Sequence, residues 1–157
     1  MTRAAVQESK MDQSHSGSNR EQVVDIMIEL TRLSNLQRAI LAGSDRMEMY
    51  LALRRRGFIR VATPETCRLA KGQHAVGLIT GQNSLPAIEA ALAEAAQFLC
   101  ASAAIAVLVD SGVSGRCLKI RALLEQIGFR IEAGVRCRQG LVLSAHRQGF
   151  GQMENAA

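Results

Sequence analysis

Short apolar runs that alternate with segments of helical periodicity constrain this chain more than any other feature of it. Ala39-Ile40-Leu41-Ala42, Phe58 to Thr63, Ala75 to Thr80 and Ile105 to Val109 each read as a strand. Between them, Val23, Ile26, Met27, Leu30 and Leu33 fall on one face of a helix expected over Glu21 to Leu33. Further helices are expected over Asp45 to Arg56, Leu85 to Ala101 and Arg116 to Ile127. Alternation of this kind implies a mainly parallel sheet covered on both faces by helices. The last two segments, Arg130 to Arg138 and Leu141 to His146, meet at Gln139-Gly140 and read as an antiparallel hairpin. The expected fold is therefore α/β and Rossmann-like, with about five to six strands and a C-terminal hairpin.

Punctuation residues support these boundaries. Asp45 and Glu48 form a capping-box pattern before the second helix, and Ser84 is placed to cap the third. Gly57-Phe58 and Gly128-Phe129 repeat one helix-to-strand corner, with glycine ending the helix and Phe supplying the hydrophobic contact beyond it. Residues 1–20 are polar and low in complexity, and the expected organisation is a disordered tail over 1–20, one domain over 21–150 and a disordered end over 151–157.

Aromatics are scarce, with one Tyr, four Phe and no Trp, so the core must be built from Ala, Leu, Ile and Val. The same scarcity argues against a stacking platform for single-stranded nucleic acid. The net charge of +5 comes from cations scattered along the sequence, and no tight, specific nucleic-acid binding is expected. Cys67, Cys100, Cys117 and Cys137 form no C-x-x-C pair, and His15, His74 and His146 lie far apart. Neither a metal site nor a disulfide scaffold is indicated, and four reduced thiols fit a cytoplasmic protein. The longest apolar stretch, Ala103 to Val109, is far shorter than the roughly 20 residues of a membrane span.

In open α/β sheets, ligands bind beyond the carboxyl ends of the strands. The loops expected there are Gly43-Ser44-Asp45, Thr63-Pro64-Glu65, Thr80-Gly81-Gln82-Asn83 and the run from Asp110 to Gly115. The first leads into a helix N-terminus, where free N–H groups favour an anion. Glu65 follows Gly43 by about twenty residues, the separation at which a carboxylate commonly meets a ribose hydroxyl. The alternative for the residues before Phe58 is a winged helix-turn-helix with the Asp45 helix reading DNA. It requires Arg38 to Gly43 to be helical rather than a strand.

The path from Ala39 to Arg147 resembles the class I S-adenosylmethionine-dependent methyltransferase fold. The closing section carries the resemblance: the strand ending at Asp110, the helix over Arg116 to Ile127, the Gly128-Phe129 corner and the terminal hairpin. The resemblance is to a reduced form. The family's G-x-G-x-G loop is represented by Ala42-Gly43-Ser44-Asp45, and its helix, strand and helix between the second and fourth strands by Pro64 to His74 alone. It implies an adenosine-containing ligand, with S-adenosylmethionine the candidate cofactor, held by Gly43, Ser44, Asp45, Glu65, Gln82 and Asn83. It points to a regulatory or scaffolding role through a small nucleoside ligand, a protein partner or a second copy of the chain. An active methyltransferase is the alternative.

Overall fold

The computed structural model describes residues 19–65, 70–80, 84–110 and 115–147. A helix, α1, occupies 19–31. It is followed by β1 (Ala39–Gly43), α2 (Arg46–Arg55), β2 (Val61–Ala62), β3 (His74–Thr80), α3 (Leu85–Ala96), β4 (Leu99–Val109), α4 (Arg116–Gln126), β5 (Phe129–Cys137) and β6 (Gly140–Arg147). The six strands form one sheet in the order β2-β1-β3-β4-β6-β5. The first four run parallel, and β6 lies antiparallel to both β4 and β5. The fold is α/β and Rossmann-like. Because Ala39–Gly43 is a strand, the winged-helix arrangement is ruled out.

Strand periodicity decides which side chain meets which helix. Along β1, Leu41 points to one face with Val76 and Leu78, against Val24 and Met27 of α1 and Ala52 and Leu53 of α2. Ile40 and Ala42 point to the other face with Ile79 and Ile105, against Ile88, Leu92 and Ala95 of α3 and Ile120 and Leu124 of α4. Both faces are covered, so these strands read as continuous apolar runs rather than alternating ones.

Several boundaries differ from the expectation. The third helix ends at Ala96, and β4 begins at Leu99 rather than at Ile105. Alanine propensity favours extending the helix, but sheet pairing of Leu99 with His74 takes the segment instead. The strand expected over Phe58 to Thr63 is reduced to Val61–Ala62. Phe58 is drawn into the helix terminus, where Gly57 N donates to Arg54 O and Phe58 N donates to Leu53 O, each at 3.1 Å. With Gly57 at φ +92°, this is the paired hydrogen-bond closure of a glycine-ended helix. Ser84 caps α3 as expected, accepting from Ala87 N at 3.3 Å. Asp45 does not cap α2 through its side chain, so the capping box is not formed.

Candidate functional site at the switch point of the sheet

The chain leaves β1 towards β2 and returns on the other side as β3, so the strand order reverses between β1 and β3. That is the position at which open α/β sheets form a crevice beyond their carboxyl ends. Gly43 and Thr80 face each other there as the last paired residues of β1 and β3. Gly43 has φ +110°, a conformation glycine adopts without steric cost. It turns the chain through exposed Ser44 and half-buried Asp45 into α2.

Arg46, the first residue of α2, ties the site together. Its Nη1 donates to Gly43 O at 2.9 Å, and its Nη2 pairs with Glu65 Oε1. The carboxylate that follows Pro64 is thereby drawn to the turn after β1. Beside this pair, Arg20, Val23, Asp45, Met49, Thr80, Leu108 and Gln139 line a crevice of about 40 Å³. Typical small-molecule clefts measure roughly 300–1,000 Å³, so this crevice is narrow by comparison.

Of the residues expected from sequence, the structure brings Gly43, Ser44, Asp45 and Glu65 to one end of the sheet. Gln82 and Asn83 lie outside the described residues. His146 is elsewhere: it sits near the start of β5, with Nδ1 2.7 Å from Glu132 Oε2. The sequence did not point to Arg46, nor to Arg20 and Gln139, which α1 and the β5–β6 turn deliver to the crevice. Arg46 carried one usable signal, its place at the first helical position directly after the loop. Among the described residues, no cluster of His, Cys, Asp and Glu could hold a metal ion. Cys100, Cys117 and Cys137 are free thiols. No helix among the described residues is long and apolar enough to cross a membrane.

No protein-family model matches the chain, and no curated protein matches it in sequence. Solved structures do match. Precorrin-6y C5,15-methyltransferase from Geobacter metallireducens aligns at TM-score 0.58 and 12% identity, covering 82% of this chain and 88% of its own. Magnesium protoporphyrin IX methyltransferase from Synechocystis, solved with bound S-adenosylmethionine, aligns at TM-score 0.57 and 13% identity, with 83% and 81% covered. The Burkholderia thailandensis 1,6-didemethyltoxoflavin-N1-methyltransferase, solved with bound 1,6-didemethyltoxoflavin and S-adenosylhomocysteine, aligns at TM-score 0.53 and 15% identity, with 94% and 89% covered. The fold is that of the class I methyltransferases. Identities this low establish the architecture alone. Between Ala62 and His74 the described residues form no helix or strand, where the resemblance implies a helix, a strand and another helix. Among the described residues, β2 pairs with β1 over two residues only, whereas β5 and β6 form a long antiparallel hairpin.

Proposed function

We propose that this protein is a reduced methyltransferase-like domain that holds an adenosine-containing ligand at the β1–β3 switch point and acts by binding rather than by methyl transfer. The observation that carries the reading is the Arg46 bridge from the Gly43 carbonyl to Glu65. It sets a carboxylate beside the turn after β1, where a ribose diol would donate to it. Gly43, Ser44 and Asp45 supply the turn and the helix N-terminus, and Gln82 and Asn83 follow the end of β3 in sequence. S-adenosylmethionine and S-adenosylhomocysteine are the ligands of matching chemistry.

Two features argue for binding without turnover. The segment between β2 and β3 is too short to supply the elements that would close over a methyl donor and acceptor, and in-line transfer needs both held at near-contact distance. In addition, the crevice at Asp45 and Thr80 is narrow, and Asp45 and Met47 follow the single glycine of the loop, adding side chains where a cofactor would need close backbone approach.

Calorimetric titration with S-adenosylhomocysteine tests the reading. Micromolar binding is expected, weakened about 10- to 100-fold in Glu65→Ala, the loss of one charge-assisted hydrogen-bond acceptor at roughly 1.5–3 kcal/mol. No heat at millimolar ligand would overturn it. Methyl incorporation from S-adenosylmethionine into small-molecule acceptors would restore the enzyme.

A further inference from the structure

The end of the sheet opposite the switch point carries a different chemistry. The segments 30–38, 50–62 and 70–76 lead into β1, β2 and β3 and contain no acidic residue. They contain Arg32, Arg38, Arg54, Arg55, Arg60 and Lys71, all exposed. A seventh cation, Arg56, is neutralised by Glu21 and Asp25, whereas these six form no ion pair among the described residues. Four of them are nevertheless held in place by neutral acceptors. Arg38 donates to Gln73 Oε1 at 2.7 Å, Arg60 to Leu36 O at 3.1 Å, Arg54 to Ile59 O at 3.1 Å and Arg55 to Leu51 O at 3.3 Å. A guanidinium fixed by a neutral acceptor keeps its full charge and is oriented before a partner arrives, which lowers the entropy lost on binding.

The rim is also concave. Arg38, Arg60, Gln73 and His74 open onto a crevice of about 540 Å³ beside β2. His74 lines it while only 3% exposed, and its Nδ1 has no hydrogen-bond partner. A buried polar atom without a partner is uncommon in a native protein.

We propose that this rim binds the sugar–phosphate backbone of single-stranded RNA, without sequence preference, with one nucleotide entering the crevice between Arg38 and Arg60. Charge complementarity favours a phosphate polymer, and the notch favours a chain over the flat face of a bilayer. Among the described residues no aromatic side chain is fully exposed, which removes the stacking that would add affinity, so binding rests on phosphate contacts. This inference is independent of the nucleoside site at the other end of the sheet.

Fluorescence anisotropy with a labelled single-stranded RNA of roughly 20 nucleotides tests it. Binding is expected at about 50 mM salt, falling with a log–log slope near −0.7 for each phosphate engaged. Arg38→Gln/Arg60→Gln should weaken it at least about tenfold and reduce the slope by about one. Lys119→Gln/Arg121→Gln, which removes the same charge from exposed positions on α4, should leave affinity within about twofold. The proposal falls if the RNA does not bind at that salt, if the rim variant binds like the wild type, or if the α4 variant loses as much. It falls equally if phosphatidylserine vesicles bind the protein and RNA does not displace them.

Discussion

The two edges of the sheet begin alike and end differently. Each edge strand follows a helix closed by a glycine at φ above +90°, Gly57 before β2 and Gly128 before β5. Gly57 N donates to Arg54 O and Gly128 N to Glu125 O, both at 3.1 Å. Beyond the corner the resemblance stops. β5 pairs with β6 from Phe129↔Arg147 to Cys137↔Gly140, while β2 meets β1 only at Ala39↔Val61 and Ile40↔Ala62. Phe129 enters its strand 2% exposed, and Phe58 stops half-buried outside its own. The corner therefore does not set strand length; the available partner does. The β5–β6 hairpin brings its partner through a two-residue turn, which costs little loop entropy. β2 has β1 on one side and no outer neighbour among the described strands. A short strand bounded by Arg60 and Pro64 is also how natural sheets blunt an exposed edge.

The strongest way to break this comparison is at Gly140, the first residue of β6. It sits at φ +147°, and a Cβ there would collide with the Val109 carbonyl oxygen of β4. Gly140→Ala should lower the unfolding free energy by about 3 kcal/mol or more, since backbone rather than a flexible side chain must move. Val61→Ala, on the short edge, should cost only about 1.5 kcal/mol, the transfer value of two methyl-sized groups. Urea denaturation of both variants decides the matter, and equal losses would mean that the two edges contribute alike.

The shared corner offers a sharper and smaller test. At Gly57 and Gly128 an added Cβ meets nothing within 4 Å, so alanine at either should cost only the left-handed backbone penalty of about 1–2 kcal/mol. Gly57→Ala and Gly128→Ala should match within about 0.5 kcal/mol by thermal unfolding. A large excess at Gly128 would show that the corner itself is coupled to the longer strand.

The smallest effect is a pH dependence confined to the β2 side. Burial lowers the pKa of His74; the Phe98 carbonyl opposes this and Arg38 adds to it. With the folded value below the unfolded one of 6.5, the unfolded chain binds the proton more readily. His74 then contributes stability at neutral pH that is lost as pH falls through about 6.5 towards the folded value. Unfolding measured between about pH 7.5 and 5 should show a decline that His74→Gln flattens. An unchanged profile in the variant would place the titrating group elsewhere.

Much of the fold was legible because its signals are local. The apolar runs at Ala39, Ala75 and Ile105, the glycine corners and the Gln139-Gly140 turn are each decided within a few residues, and they fixed the order of the elements. The positions of Gly43, Ser44 and Asp45 at the end of a strand followed from the same signals. Where local and tertiary preferences competed, the tertiary ones won. Leu99 to Ala101 reads as the end of an alanine-rich helix and becomes strand because β3 offers it a partner. Phe58 to Arg60 reads as strand and stays outside because an edge with one neighbour cannot hold it.

The site divides in the same way. Sequence separation suggested Glu65, but only the fold could show that Arg46 holds it against Gly43. Charge divides most sharply. The cations at Arg32, Arg38, Arg54, Arg55, Arg60 and Lys71 are scattered along the sequence, and no spacing rule joins them. Parallel strands place the residues that precede each strand at one end of the sheet, however far apart they lie in the chain. The sequence by itself determined which elements form and in what order. Tertiary structure decided which side chains of distant segments share an end of the sheet, because that depends on strand order and direction rather than on any local preference.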